Sequence, residues 1–262
     1  MPEGDTIFRA ARRLSHVLAG QALIGFDLPT HAGRTTAPAR VDAVEAVGKY
    51  LLVRFDDARV LVTHMKMTGS WHIYRRGERW RGGRAQPRAV LETARHVAIC
   101  FDAPVVRLMT AAQAKRTLAT LGPDLLAPTP DLALAAENLR GAPHLTIAEA
   151  LLSQSLVAGI GNEIKSEALF AAKVDPRAKV KDVPADALAR VLGEAARILR
   201  INVAPSMRGP RRSRSGASPT WAYGRAGEPC LVCKTPIARI YQGPLGARRS
   251  TYFCPACVEG AP

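Results

Sequence analysis

Leu156-Val157-Ala158-Gly159-Ile160-Gly161-Asn162-Glu163 decides how the second half of this chain folds. Its two glycines set a tight turn between two helical patterns, Ile147 to Ser153 before it and Asn162 to Ala171 after it. Helices joined in this way form a relative of the helix-turn-helix. Further out, Pro184 to Asn202 reads as a helix with Leu188, Val191, Leu192, Ala195, Ile198 and Leu199 on one stripe. On the other side Leu132 to Leu139 reads as a helix, and Pro128 and Pro130 mark a linker beyond Leu121-Gly122-Pro123-Asp124.

Before that linker the period changes. Ala22 to Leu28, Val41 to Val47, Tyr50 to Phe55, Val60 to Met65, His96 to Phe101 and Val105 to Met109 are short β-branched or alternating runs, which predict a β-sandwich or barrel. Arg75 to Arg88, with Gly77, Gly82, Gly83 and Pro87, reads as an exposed loop within it. Ahead of the strands, Ile7, Ala11, Leu14 and Leu18 repeat at helical spacing from a cap at Asp5 or Thr6 to a stop at Gly20.

Cys230-x2-Cys233 and Cys254-x2-Cys257 lie twenty residues apart, the pattern of a four-thiolate zinc site on a hairpin. Protein would fill all four positions, so the expected Zn2+ is single and structural. Cys100, inside an apolar run, reads as a small buried hydrophobe. Arg248 and Arg249 precede an alternating strand between the cysteine pairs.

In 262 residues, 37 lysines and arginines against 22 acids leave a charge of +15, which calls for a polyanionic partner. Nucleic acid fits better than an acidic membrane, because the arginines are spread over loops and strands and not along one amphipathic helix. Residues 207 to 216, Met-Arg-Gly-Pro-Arg-Arg-Ser-Arg-Ser-Gly, are too polar to pack alone. No apolar run reaches eighteen residues and no signal-peptide pattern opens the chain, so a cytoplasmic, nucleoid-associated location is expected.

Met1-Pro2-Glu3-Gly4-Asp5 reads in one of two ways, as a proline that stiffens the terminus or as an active site built there. Once Met1 is removed, Pro2 is a terminal secondary amine. An α-amino group titrates at roughly 7.7 to 8.0, against about 10.4 for lysine, so a useful fraction is unprotonated and can attack an electrophilic sugar carbon to give an imine. The helix dipole behind it disfavours the protonated form, whereas Glu3 and Asp5 favour it.

Taken together, Pro2-Glu3-Gly4-Asp5, the turn Leu156 to Glu163, and Tyr223-Gly224-Arg225-Ala226-Gly227-Glu228-Pro229-Cys230 resemble, in order and spacing, the formamidopyrimidine-DNA glycosylase and endonuclease VIII family of base-excision repair enzymes. The likeness spans essentially the whole chain. It implies an α+β multidomain fold: residues 1–120 an N-terminal helix and catalytic antiparallel β-sandwich, 121–143 a linker and first helix, 144–222 a helix-two-turn-helix domain with a basic loop, and 223–262 a four-cysteine zinc-finger hairpin. It implies Pro2 as nucleophile, Glu3 as acid/base residue at the deoxyribose, Lys49 as a phosphate contact beside the lesion, Asn162 and Arg249 as the grip on flanking phosphates, and Met67 as a wedge. Asn162 opens a helix, where free backbone N–H groups would add to an anion site. The expected partner is damaged double-stranded DNA, bound by a monomer without a nucleotide cofactor or membrane.

The family's purine-directed side carries an Asp-Pro-Arg-Arg-Phe-Gly loop; here the stretch is Phe101-Asp102-Ala103-Pro104-Val105-Val106-Arg107-Leu108, lacking that pair. This leans toward the endonuclease VIII branch and oxidised pyrimidines, with oxidised purines as the alternative. A non-catalytic zinc-finger DNA-binding protein also accounts for the charge and cysteines, but leaves Pro2 and Glu3 incidental.

Overall fold

A computed structural model describes residues 2–29, 37–204 and 220–258. The chain forms two compact units, one of Met1–Pro2 and Thr6–Thr120, the other of Glu3–Asp5 and Leu121–Pro262. The basic segment 207 to 216 and Met1 lie outside the described residues.

In the first unit, helix α1 (Gly4–Leu18) is followed, among the described residues, by eight strands: β1 (Gly25–Asp27), β2 (Val41–Val47), β3 (Tyr50–Phe55), β4 (Arg59–His64), β5 (Ser70–Arg75), β6 (Pro87–Glu92), β7 (His96–Phe101) and β8 (Val105–Thr110). They pair into two antiparallel four-stranded sheets, β1-β6-β7-β5 and β2-β3-β4-β8. Leu51, Val53, Phe55 and Leu61 of one sheet share a core with Ala89, Leu91, Ala98 and Cys100 of the other, so the arrangement is a sandwich and not a barrel. Ile7, Ala11, Leu14 and Leu18 of α1 are buried in the same core, as their spacing requires.

Three elements escape the sequence reading. Helix α2 (Ala111–Leu118) starts at a capping box between Thr110 and Gln113 and covers Leu52, Val60 and Val62 on the outer face of its sheet. The same cover explains why β3 is apolar on both faces. Strands β5 and β6 enclose the arginine-rich stretch, and its last two residues, Pro87 and Arg88, begin β6. The stretch is anchored as well as exposed: Ala85 packs on the cluster of Tyr74, Val97, Ile99 and Phe101, and a Cβ on Gly82 would come within 2.7 Å of the Phe101 ring. The run Ala22 to Leu28 is strand only at Gly25–Asp27, with Ala22 making an isolated bridge to Arg40.

The second unit holds α3 (Leu132–Arg140), α4 (Ile147–Leu152), α5 (Asn162–Ala172) and α6 (Ala185–Val203), then the hairpin β9 (Ala238–Gln242) and β10 (Arg249–Phe253). Leu188, Val191, Leu192, Ala195, Ile198 and Leu199 of α6 are buried against Ile164, Ala168 and Leu169 of α5 and Ile147 and Leu151 of α4. The turn between α4 and α5 is built on Gly122, whose amide donates to Gln154 O at 2.9 Å and whose Cβ would meet Leu156 O at 2.3 Å. Among the described residues no helix is long and apolar enough to cross a membrane.

Leu51 is fully buried between the sheets. Leu51→Ala is expected to lower the stability of the first unit by about 2–5 kcal/mol, read as a lower urea midpoint at unchanged m-value.

Candidate active site

Helix α5 is the framework of the site, and it has no side-chain cap of its own: its N-cap is Gly161. Glu3 supplies one from far away in sequence. Its Oε2 accepts the N–H of Gly161 at 3.1 Å and of Ile164 at 3.2 Å, and its Oε1 accepts the N–H of Glu163 at 2.8 Å. The first turn of a helix carries unpaired N–H groups and a partial positive charge, and a carboxylate answers both. Glu3 is only 5% exposed.

Two glycines permit the approach. A Cβ on Gly161 would fall 2.1 Å from the Glu3 carboxyl carbon, and one on Gly4 would fall 2.9 Å from Gly159 Cα. Gly4 also donates its N–H to Gly159 O at 2.9 Å, with Gly159 at φ +95. Of the N–H groups at this helix end, those of Gly161, Glu163 and Ile164 are therefore occupied by a carboxylate.

Asn162 contributes its side chain instead. Its Nδ2 donates to Ser250 Oγ at 3.1 Å, and its Oδ1 accepts from Lys165 Nζ at 2.7 Å. Lys165 also donates to Thr251 Oγ1 at 2.8 Å and Ser250 O at 3.1 Å. Arg249, next along β10, is exposed, and with Lys165 it lines a cavity of about 300 Å³ beside Glu149, Leu152 and Gln242. The Tyr223 hydroxyl is raised above its ordinary range, by burial first and then by the Glu3 and Glu163 carboxylates.

Lys165, Glu167 and Ser250 are not singled out in the sequence, and Tyr223 stands there only as the first residue of the C-terminal motif. Buried Glu167 accepts the N–H groups of Trp221 (2.6 Å), Ala222 (2.9 Å) and Tyr223 (2.8 Å), which ties the start of the C-terminal motif to α5; burial pushes its carboxyl upward against those bonds. The one available signal is Lys165-Ser166-Glu167 inside the helix that follows the glycine turn, where a buried helix face would call for apolar residues.

Among the expected site residues of the first unit, Pro2 and Lys49 are half-buried, Lys49 in the β2–β3 turn after Gly48 at φ +55. Burial, then Lys49, then Lys66 lower the pKa of His64, and its Nδ1 accepts the Lys66 N–H at 3.1 Å, so the neutral ring carries its proton on Nε2. Met67 is 62% exposed in the β4–β5 turn and is not a core methionine. That turn is braced: Thr68 Oγ1 donates to Asp102 O at 2.9 Å, and Gly69 packs on Ala103. The β7–β8 connection is only Asp102-Ala103-Pro104.

The sulfurs of Cys230, Cys233, Cys254 and Cys257 lie within 4.8 Å of one another, the geometry of a metal site. Cys230 to Cys257 is 3.8 Å, Cys233 to Cys254 3.3 Å and Cys233 to Cys257 3.4 Å. Cys100 is fully buried, and burial pushes its thiol up to about 12.

Residues 1–116 match the family described as formamidopyrimidine-DNA glycosylase N-terminal domain, and residues 121–211 match the formamidopyrimidine-DNA glycosylase H2TH domain. A Streptomyces coelicolor protein named "Probable endonuclease 8 2" is 40% identical over 263 residues, covering 99% of this chain and 95% of the relative. The DNA-(apurinic or apyrimidinic site) lyase of Mycolicibacterium smegmatis is 36% identical, covering 98% of each chain. A crystal structure of Lactococcus lactis formamidopyrimidine-DNA glycosylase bound non-covalently to DNA containing an AP site has the same fold, with a TM-score of 0.81 at 23% identity over 98% of this chain and 100% of that one.

Glu3→Ala leaves three N–H groups at the α5 terminus without their acceptor, and is expected to destabilise the second unit by about 1–3 kcal/mol. Glu3→Gln, which keeps one oxygen, should cost less. Urea unfolding of both variants checks the order; equal stability of wild type and Glu3→Ala would refute the cap.

Proposed function

Because the chain belongs to the formamidopyrimidine-DNA glycosylase family, we propose that it is a bifunctional DNA glycosylase and AP lyase of the endonuclease VIII branch, acting on oxidised pyrimidines in duplex DNA as a monomer without a nucleotide cofactor. The observation that carries this reading is the Glu3 carboxylate fixed on α5, since Pro2 is peptide-bonded to Glu3 and its Cα lies within about 3.8 Å of the Glu3 Cα. A nucleophile and a proton-exchanging group thus share one anchored dipeptide.

The target nucleotide leaves the stack, because C1′ is shielded within the duplex. The Pro2 nitrogen lone pair forms a bond to C1′ as the glycosidic C1′–N bond breaks, and the base departs with that electron pair and takes up a proton. Glu3 exchanges a proton with the sugar oxygen O4′ as the ring opens, leaving an iminium between Pro2 and C1′. The iminium acidifies C2′–H; loss of that proton expels the 3′ phosphate, a second elimination expels the 5′ phosphate, and water hydrolyses the imine to restore Pro2.

Lys49, Asn162 and Arg249 contact the phosphates flanking the extruded nucleotide in this reading. Met67 fills the vacated stack, supported by its exposure on a braced turn. The three-residue β7–β8 connection has no room for the arginine and aromatic of the purine-directed loop. Residues 144–222 then serve as the helix-two-turn-helix part and 223–262 as the zinc finger.

Zinc fits the four sulfurs: a Zn–S bond of about 2.3 Å separates tetrahedral sulfurs by about 3.8 Å, against 3.3 to 3.8 Å for three of the pairs and no more than 4.8 Å for the others. Cys230, Cys233, Cys254 and Cys257 would hold the ion, which supplies a cross-link and no chemistry at the sugar.

Incubation with duplex bearing an abasic site or an oxidised pyrimidine, followed by borohydride, should give a covalent protein–DNA band. An uncleaved extension ahead of Pro2 should abolish it, and its persistence would relocate the nucleophile; no band from a correctly processed chain would overturn the enzyme reading. In one duplex context, oxidised pyrimidines should be processed faster than 8-oxoguanine. Separately, Cys254→Ser should weaken DNA binding while near-UV dichroism of the β-sandwich persists; unchanged affinity would remove Arg249 from the phosphate contacts.

A further inference from the structure

Lys165 is the least expected ion in the molecule: it sits on α5, is 1% exposed, and is among the largest fully buried side chains. A lysine one turn into a surface-reading helix ordinarily extends to solvent, and burying its charge is costly unless the ammonium is fully hydrogen-bonded. Here all three N–H donors of an ammonium have acceptors, namely Asn162 Oδ1, Thr251 Oγ1 and Ser250 O. Two of these lie on β10 immediately after Arg249, and the third belongs to the side chain expected to face phosphate.

We propose that Lys165 is the positioning residue of the phosphate grip, locking the buried Asn162 amide with its oxygen on the ammonium and its Nδ2 on the Ser250 side, while holding β10 so that Asn162 and Arg249 act as one unit. This rests on the phosphate-contact roles proposed above for those two residues. The geometry is decisive in two respects. An amide can present either its oxygen or its nitrogen, and only the nitrogen can donate to a phosphate; a cation on the oxygen settles the choice. Ser250 then receives Nδ2 through its hydroxyl and Lys165 through its carbonyl, so helix and strand are joined at one residue.

The arrangement depends on the ammonium form. Neutral lysine keeps two N–H donors and cannot serve three acceptors. The groups facing Lys165 are Glu3 from the N-terminal segment, Arg249 from β10, and Glu149, which lines the same cavity from α4. Burial lowers its pKa to about 7, Glu3 opposes and Arg249 adds. With the folded pKa below the unfolded value, the chain gains stability from this group as pH rises from about 7 toward 10. The grip moves the other way, losing a hydrogen bond over the same rise.

The test is equilibrium binding to a duplex carrying tetrahydrofuran, a stable abasic analogue that undergoes no imine chemistry, so failure of the Pro2 mechanism and failure of this proposal give different results. At pH 6.5, Lys165→Met should weaken binding about ten- to a hundredfold, with zinc content unchanged. In an Asn162→Ala background the same change should cost less than about threefold, because the two residues form one coupled element. Additive losses would overturn the proposal. Should Lys165→Met not fold, the wild-type chain decides: its affinity should fall about tenfold from pH 6 to 9 with a midpoint near 7, and Asn162→Ala should flatten that profile. A flat wild-type profile would overturn the positioning role, and absence of wild-type binding would overturn it together with the DNA-binding reading.

Discussion

The carboxylate of Glu3 on the amino end of α5 is the constraint from which the site follows. Three backbone donors converge on it, and they can do so because neither Gly4 nor Gly161 carries a side chain. A helix beginning at a glycine has no cap of its own, so the dipole at its end is available to a group from elsewhere. Residues 3–5 consequently group with the second unit although their neighbours on both sides belong to the first. The glycine turn, which looks in sequence like a simple helix connection, is a socket for a distant acid.

The C-terminal part of the second unit is attached to the same helix by polar side chains. Glu167 gathers the three amides of Trp221 to Tyr223, Lys165 gathers Asn162 and two residues of β10, and Ser166 Oγ accepts the Tyr252 N–H at 3.4 Å. Phe170 stacks on Trp221 at 5.9 Å beside them. A helix face of Asn162, Lys165, Ser166 and Glu167 buried this deeply is held by satisfied hydrogen bonds, each of which would be expensive to leave unmade. The apolar core beside the four sulfurs is small: Phe170, Ala222, Cys230, Ile237 and Cys254.

Much of the architecture can be read directly from periodicity. The stripe on α6, the α1 repeat and the central strands announce their elements because their apolar residues recur at the period of the structure they form. Elements with weak periodicity were lost. Helix α2 buries only Ala114 of its eight residues, β5 mixes His72 and Arg75 with its apolar positions, and β6 opens on a proline and an arginine. At the site, the cysteine pairs and Pro2-Glu3 are visible because their chemistry depends on local spacing. Lys165 and Glu167 are not, because a charged residue on a helix reads as solvent-facing unless the hairpin that buries it, some 85 residues later, is already known.

The cap also has a history in time. Glu3 precedes its first partner, Gly161, by 158 residues. At ribosomal speeds of about 5–20 residues per second, the acid emerges roughly 8 to 30 s before the amides that will seat it. Through that interval Glu3 is without its socket, whereas afterwards its carboxylate is buried on three amides. The order of synthesis thus lets the cap form only once the first turn of α5 has been made.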